Sequence, residues 1–352
     1  MTNGKKYKVA VIGCGYMGYG HLEQIWLLSN TELWSVCDID PERAREAAER
    51  FGATLWSTDY REILADPELD IAIIATWPST HLEILLVCLE HGIHCICEKP
   101  MSDTLESSRE FMLAVQSHPE TKVLVGHILR HNQTFHKVAE LIQSDVIGHP
   151  VTMRMVQSHP PTDWERDVTL INETSPIIDC GLHYVDLMRW FTGAEIDSVY
   201  LLTARLTEDI PTDKYNYGLL TVRLDDGSAG FFEAGWGHGF RHDNTKEFIG
   251  PKGRITVTYM KDRLTHRSSG NLLEIYRADS GETEQISVPY THKPTDDQLS
   301  HLINMIENDV PARPTIEEVY GSFETVWLAD INANRRAVCP TPLAELIDIE
   351  AT

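Results

Sequence analysis

The sequence predicts an α/β chain with two domains: an N-terminal doubly wound parallel sheet of the Rossmann type, and a C-terminal α+β domain with a mostly antiparallel, open sheet covered by helices. Three observations predict this. Apolar strands alternate with helical patterns as far as about residue 126, a glycine-rich turn follows the first strand, and beyond residue 150 strands succeed one another with short turns. The length of 352 residues suits two domains. We place them at 1–128 and 129–352.

The first half alternates strand and helix patterns in order. Strands are expected at 8–12, 32–37, 70–76, 93–97 and 122–126, and helices at 19–28, 41–51, 60–64, 80–91 and 105–116. The run 70–76 is apolar throughout, which is typical of a parallel strand buried on both faces. This alternation predicts the doubly wound sheet.

The second half changes its pattern. Strands are expected at 151–157, 196–205, 215–224, 228–234, 254–258, 272–277 and 283–288, with a hairpin turn at 225–228. A helix over about 180–192 is expected to cover one face of this sheet. Two helical patterns end the chain, at 296–308 and about 316–338, and one possibility is that the last packs back on the Rossmann domain.

Composition excludes several partners. Lys and Arg total 30 against 53 Asp and Glu, a formal net charge of −23, which disfavours nucleic acid and anionic membranes. No apolar run approaches the roughly 20 residues that span a bilayer. No signal peptide is visible, and seven cysteines in apolar contexts suit buried free thiols in a reducing compartment. We therefore expect a cytoplasmic protein.

The glycine-rich turn predicts a dinucleotide site. Gly13, Gly15 and Gly18 form the G-x-G-x-x-G pattern between a strand and a helix, where backbone N–H groups can bind a pyrophosphate. Asp38 follows the second strand, and its carboxylate suits ribose hydroxyls and repels a 2′-phosphate. The cofactor is therefore expected to be NAD rather than NADP. Two alternatives stay open: Asp38 is only a loop residue, or Arg43 with Arg45 admits NADP.

Other cofactor contacts are expected where later strands end. His81 either contacts the nicotinamide ribose or only fills space. The expected cofactor-binding residues are Gly13, Gly15, Tyr16, Met17, Gly18, Asp38, Thr76, Trp77, Pro78, His81, Glu98 and Lys99.

A set of side chains suited to acid–base catalysis is a further functional feature of the sequence. Hydride removal from a secondary alcohol requires that the hydroxyl proton be removed, and a neutral histidine suits that task. Asp179, His183 and Asp186 stand at i, i+4 and i+7, so they are expected to share one helix face. Lys99 ends a strand of the first domain and can donate to the substrate oxygen. The alternative is that His183 is a satisfied core residue on a packing helix.

The motifs together resemble one family. The chain resembles the glucose–fructose oxidoreductase / inositol dehydrogenase / MocA family in Gly13–Gly18, in Thr76, Pro78 and His81, in Glu98-Lys99-Pro100, and in Asp179-x-Gly-x-His183-x-x-Asp186. This resemblance implies that Lys99, Asp179 and His183 act in catalysis, with His183 as the proton acceptor. It also implies a sugar or cyclitol substrate, and a homodimer or homotetramer built through the open face of the C-terminal sheet. A cis Lys99–Pro100 bond is a further implication.

Substrate specificity is less clearly encoded. We expect the substrate to contact Lys99, Arg130, Trp164, Asp179, His183, Trp236 and His238. Trp164, with Asp163 and Arg166, is placed in a polar loop, and Trp236 with His238 in a second loop that leaves a strand. Trp and His suit the apolar faces and hydroxyls of sugars. The histidines His127, His131 and His136 lack a convincing ligand arrangement, so we expect no metal.

The predicted function is an NAD-dependent dehydrogenase that oxidises one secondary hydroxyl of a sugar, sugar acid or cyclitol. One alternative keeps the site but uses a retained NAD transiently, as in a redox-neutral glycosidase, lyase or epimerase-like enzyme. A non-catalytic NAD-binding regulator is the second alternative, and the acid–base set argues against it.

Overall fold

A computed structural model describes residues 5–290 and 292–334. Within them the chain divides into two units. The first comprises residues up to 140 together with 266–271 and 287–323, and the second comprises 141–265, 272–286 and the part of the chain from 324 onward. Short segments of the second half of the sequence thus belong to the N-terminal unit.

The first unit contains the predicted parallel sheet. Its six strands lie in the order β3-β2-β1-β4-β5-β6, and all neighbouring pairs are parallel. The strands are β1 (Tyr7–Ile12), β2 (Thr31–Cys37), β3 (Leu55–Ser57), β4 (Ile71–Ile74), β5 (His94–Cys97) and β6 (Val123–Val125). The helices are α1 (Tyr16–Ile25), α2 (Pro41–Phe51), α3 (Tyr60–Leu64), α4 (Pro78–His91), α5 (Leu105–Ser117) and α6 (Gln133–Gln143). This strand order places a topological switch point between β1 and β4, where such folds bind dinucleotides.

Both faces of this sheet are covered by helices. One face packs on residues of α4 and α5, joined by Val319 from α10 (Ile316–Asn334). The other face packs on α1 and on Leu299 and Leu302 of α9 (Thr295–Asn308). The middle strands are fully buried for this reason, and their uninterrupted apolar runs follow from it.

The second unit contains an eight-stranded sheet. Its order is β14-β13-β12-β11-β7-β10-β9-β8. The β7–β10 pair is parallel, and the pairs β7–β11, β11–β12, β12–β13, β10–β9 and β9–β8 are antiparallel. The strands are β7 (Thr152–His159), β8 (Ile196–Ala204), β9 (Tyr217–Leu224), β10 (Ala229–Trp236), β11 (Lys246–Gly250), β12 (Gly253–Thr258), β13 (Asn271–Arg277) and β14 (Thr283–Val288). The predicted mostly antiparallel sheet is confirmed.

One face of this sheet carries a π-helical turn (Ile177–Gly181) and α8 (Leu182–Thr192), which follow α7 (Trp164–Glu173) in the chain. Tyr184 of α8 stacks on Phe232 of β10 with ring centroids 4.3 Å apart. Gly181 lies opposite the same ring, since a Cβ there would stand 3.3 Å from it. The helix therefore sits close to the sheet along the segment that carries the predicted acid–base residues.

Several elements differ from the sequence prediction. The segment with Trp164 and Arg166 was expected to be a loop, but both residues lie in α7, and Asp163 caps this helix by accepting a hydrogen bond from the Arg166 N–H at 3.1 Å. Trp236 was placed in a loop and is instead the last residue of β10. The strands β3 and β11 and the helix α6 were not predicted. Residues 335–338, the end of the predicted last helix, lie outside the described residues.

Among the described residues, no helix is both long enough and apolar enough to cross a membrane. The six cysteines of this part of the chain are buried and form no disulfide bonds. Burial raises the pKa of both Cys14 and Cys37 to about 12, so these thiols stay protonated at neutral pH.

Candidate active site

The glycine turn between β1 and α1 has the shape that a dinucleotide requires. Gly13 has φ +92°, and a Cβ on it would stand 2.5 Å from the Ala75 carbonyl oxygen. A Cβ on Gly18 would collide with the Gly13 carbonyl, whereas a Cβ on Gly15 would find no atom within 4 Å. The first and third glycines therefore close the turn, and the second leaves open space above the helix N-terminus. NAD fits this turn, because its pyrophosphate needs such an approach to the backbone.

Asp38 follows β2 and lies against the same turn. Its Oδ2 accepts a hydrogen bond from the Cys14 N–H at 2.8 Å, and its Oδ1 accepts one from the Asp40 N–H at 3.0 Å. The guanidinium of Arg43 stands 3.4 Å from Oδ1 and 3.7 Å from the Asp40 carboxylate. The carboxylate predicted to select NAD thus also neutralises the arginine that could attract a 2′-phosphate.

Replacing Asp38 by serine is expected to shift cofactor use towards NADP. The change removes the carboxylate that repels a 2′-phosphate and leaves Arg43 to bind one. The ratio of kcat/KM for NADP to that for NAD should rise about tenfold, the equivalent of ~1.4 kcal/mol. Initial rates with both cofactors measure this ratio.

The matched control adds Arg43→Ala to Asp38→Ser, which should cancel the gain. A native enzyme that already prefers NADP would contradict the role given to Asp38.

The segment after β4 lies on the binding side of the parallel sheet. Trp77 is 48 % exposed and caps α4, whose first residue is Pro78, and the Thr80 hydroxyl donates to the Thr76 hydroxyl at 2.8 Å. His81 is fully buried, with one ring nitrogen 3.0 Å from the Pro100 carbonyl oxygen and the other 3.1 Å from that of Thr76. Burial lowers the pKa of His81 and so favours the neutral ring, which donates to only one of these two carbonyls. His81 thus ties together the turns that follow β4 and β5.

Lys99 lies in the turn that follows β5. The Lys99–Pro100 bond is cis, as the family resemblance implied. Glu98 is 4 % exposed, and its Oε1 lies 2.7 Å from Nε2 of the buried His21 on α1. Burial raises the pKa of Glu98, but the His21 hydrogen bond and the charges of His21 and Lys99 outweigh it, and the net direction is down. An ionised Glu98 therefore links the lysine turn to the helix of the glycine motif.

The predicted acid–base residues lie at the junction of the π-helical turn and α8. Asp179 belongs to the π-helical turn and His183 to the first turn of α8. Because a π turn holds more residues than an α turn, the expected i, i+4, i+7 face is not regular here. Asp179 and His183 are partly exposed, whereas Asp186 is 1 % exposed. The structure therefore sets Asp186 apart as an interior residue.

A buried polar network holds the start of this turn. The Ser175 hydroxyl donates to the Asp330 carboxylate at 2.9 Å and accepts a hydrogen bond from the Ile178 N–H at 3.0 Å. The Tyr215 hydroxyl lies within hydrogen-bond distance of both Ser175 and Asp330. Burial raises the pKa of Asp330 and of Tyr215. This network was not predicted, since its three members are far apart in the sequence.

A fully buried lysine, Lys246, lies next to Tyr184 of α8. The Lys246 ammonium donates to the Val156 carbonyl and to Asn244 Oδ1, and it lies 4.7 Å from the centre of the Tyr184 ring. Burial lowers the pKa of Lys246 to about 7, although the charge of Asp243 opposes the change. Such a lysine is costly when charged.

Polar and aromatic side chains gather where β7 and β10 end side by side. The His159 and Trp236 rings are 5.9 Å apart, and those of Trp164 and His238 are 5.2 Å apart. Trp236 is only 3 % exposed, and neither its Nε1 nor Oδ2 of Asp167 has a hydrogen-bond partner among the described residues. Burial raises the pKa of Asp167. A donor and an acceptor left unpaired in this way match the hydroxyls of a polyol.

Asp167 was missed because nothing in its local sequence separates it from the other acids of a polar helix. Arg130 lies in the first unit, 6 % exposed, with its guanidinium 3.2 Å from the Glu318 carboxylate. Within the described residues, no group of three or more His, Cys, Asp or Glu side chains is placed to hold a metal ion.

Comparison with protein families gives two matches that together span both units. Residues 7–127 match the model of an oxidoreductase family with an NAD-binding Rossmann fold, GFO_IDH_MocA. Residues 135–256 match the model of the GFO/IDH/MocA C-terminal domain. The chain is 31 % identical over 260 residues to scyllo-inositol 2-dehydrogenase (NAD(+)) of Bacillus subtilis, covering 71 % of this chain and 73 % of that protein. It is 26 % identical over 267 residues to inositol 2-dehydrogenase of Rubrobacter xylanophilus, covering 75 % and 74 %.

Solved structures share the fold. Myo-inositol 2-dehydrogenase from Lactobacillus plantarum superposes with a TM-score of 0.79 at 19 % identity, covering 94 % of this chain and 98 % of that one. An oxidoreductase from Agrobacterium radiobacter, solved in complex with NAD+, L-tartaric acid and magnesium, gives 0.82 at 16 % identity, covering 95 % and 98 %.

Proposed function

The chain belongs to the GFO/IDH/MocA family of NAD-dependent oxidoreductases that act on CH–OH groups, and from this premise we propose that it oxidises one secondary hydroxyl of a cyclitol or a related sugar. Inositol is the substrate named for several relatives. One observation carries the proposal: the basic side chains of Lys99 and His183 stay partly exposed although the residues on either side of each are buried. Lys99 does so between the buried Glu98 and Pro100, and His183 between Leu182 and Tyr184.

The proposed roles follow from the chemistry of these side chains. Bound NAD supplies the acceptor for the hydride. His183 takes the hydroxyl proton, because an imidazole is neutral and basic near pH 7. Lys99 donates to the substrate oxygen, where negative charge develops as the proton leaves. Asp179, one turn earlier, favours the imidazolium that His183 becomes.

The cofactor contacts proposed for the first unit are the glycine turn with Tyr16 and Met17, Asp38, and the residues that follow β4 and β5. Substrate contacts are proposed for Lys99, Arg130, Asp179, His183 and the cluster at the ends of β7 and β10. Trp164, Trp236 and His238 of that cluster offer ring faces and N–H groups that suit sugars. Arg130 would have to leave Glu318 to bind a substrate group directly.

We also propose a homodimer or homotetramer formed through the open face of the eight-stranded sheet. This face exposes Leu202, Ile249 and Tyr276 by 49 %, 37 % and 36 %. On the same face, Arg154 and Arg254 stand 2.7 and 3.6 Å from the Glu247 carboxylate. Paired charges beside apolar side chains are compatible with burial in an interface. Light scattering of the purified protein measures the assembly.

The substrate proposal is tested with purified protein, NAD and a panel of inositols, aldoses, sugar acids and glycosides. NADH absorbance should rise with at least one inositol or related polyol. A separate measurement of NAD in the supernatant of the heat-denatured protein reports how much cofactor the purified protein had retained. Unchanged NADH with every compound, in a protein that binds NAD, would count against a dehydrogenase. Conversion of a glycoside without net NADH would favour the redox-neutral alternative.

A further inference from the structure

We propose that Lys293 binds the diphosphate of NAD and is a cofactor residue outside the glycine motif. Its ammonium lies 3.4 Å from the Tyr16 hydroxyl and 3.9 Å from the Met17 sulphur. It also lies 4.6 Å from the centre of the Tyr16 ring. Tyr16 and Met17 are the first two residues of α1, directly after the open glycine of the turn. The lysine therefore stands at the helix end that receives the phosphates.

The charged groups around Lys293 support a role for its ammonium in binding an anion. Among the described residues, its ammonium makes no ion pair with a carboxylate, in a protein with 53 acidic against 30 basic side chains. Asp296, the nearest acid that follows it in the chain, lies 3.0 Å from the His292 ring instead. The first turn of α1 carries no acidic residue. An anion at this helix end thus meets a lysine that no carboxylate of the described residues neutralises.

The position of Lys293 is set by packing. Two residues later the Thr295 hydroxyl donates to the Gly20 carbonyl of α1 at 3.2 Å, and the Asp296 N–H donates to Gln24 Oε1 at 3.3 Å. Leu299 and Leu302 of the same helix are buried in the core with Leu22 of α1. Since α9 is fixed to α1 in this way, the lysine before it is held at the glycine turn.

The competing explanation is a surface contact of the ammonium with the Tyr16 ring, which is 61 % exposed. Such a cation–π contact would stabilise the fold only slightly at an exposed site and would not involve NAD. A phosphate contact predicts instead that cofactor affinity depends on the lysine charge and on salt, since a lysine recognises phosphate as a point charge.

The test measures dissociation constants of NAD, ADP-ribose and adenosine for the native protein, Lys293→Ala and Lys293→Arg. Lys293→Ala should weaken NAD and ADP-ribose about tenfold, as the loss of one charged hydrogen bond implies, and leave adenosine within about twofold. Lys293→Arg should restore most of the affinity. The dependence of log Kd on log salt should become shallower in Lys293→Ala.

Lys137→Ala is the matched control. It removes the same charge from the first unit, at a lysine that is 2.6 Å from the Glu140 carboxylate, and should change none of the three constants. An unchanged NAD constant in Lys293→Ala would overturn the inference, as would an equal loss for adenosine. The measurements need no turnover, so failure of the proposed substrate would leave this result intact.

Discussion

Replacing His183 by alanine is expected to lower kcat by about 10²- to 10⁴-fold, the usual contribution of a positioned general base. The side chain is partly exposed, while Leu182 and Val185 beside it are fully buried, so the change removes a reactive group without opening a core cavity. The Kd of NAD should not change, since the glycine turn lies in the other unit of the chain. Steady-state rates at saturating substrate and a cofactor titration measure the two quantities.

His91→Ala is the matched control for this prediction. His91 is exposed in the last turn of α4, and its loss should leave kcat within about twofold, as for most surface substitutions. Native turnover in His183→Ala would show that another group accepts the proton. A weaker NAD affinity in this variant would instead indicate a structural role for the ring.

Replacing Lys246 by methionine is expected to stabilise the protein at pH 6. It is also expected to make the free energy of unfolding less dependent on pH between pH 7 and 10. The folded pKa of about 7 lies below the ordinary lysine pKa of 10.5, so the unfolded chain binds more protons between these values and native stability rises with pH there. Below pH 7 the full cost of the buried charge is present, on the order of 5 kcal/mol. The variant does not gain all of this free energy, because the Val156 carbonyl and Asn244 Oδ1 lose their hydrogen-bond donor.

Melting temperatures at pH 6 and pH 9.5 measure the effect, and the variant should gain at least ~5 °C over the native protein at the lower pH. The control is Lys252→Met, which removes an exposed lysine paired with Asp145 and should change stability by less than ~1 kcal/mol. A lower melting temperature for Lys246→Met at both pH values would show that the lysine's hydrogen bonds outweigh its burial.

The parallel sheet and its cofactor turn could be predicted because local signals coincide there. Buried parallel strands need uninterrupted apolar runs, and Gly13 and Gly18 stand where a Cβ would collide. The glycine pattern is local, so it is visible without tertiary structure. Lys99 could be found for a similar reason, since a charged residue directly after an apolar strand marks the end of that strand.

Other elements escaped prediction because tertiary contacts decide them. The strand β11 begins with Lys246, whose charge breaks the apolar pattern although the side chain is fully buried. The helix α7 follows two prolines and has a polar first turn, which favoured a loop. The π-helical turn before His183 has no sequence signature, and it alters the face on which Asp179 and His183 were expected to meet.

The Ser175–Tyr215–Asp330 network has a practical consequence for anyone who shortens or fuses this protein. Asp330 stands 155 positions after Ser175, yet it supplies the acceptor at the turn that carries Asp179. A truncation upstream of Asp330 would remove the carboxylate that accepts hydrogen bonds from the buried Ser175 and Tyr215 hydroxyls. Any truncated form of the protein should therefore end beyond Asp330. A substitution in α10 should be assayed first for its effect on turnover.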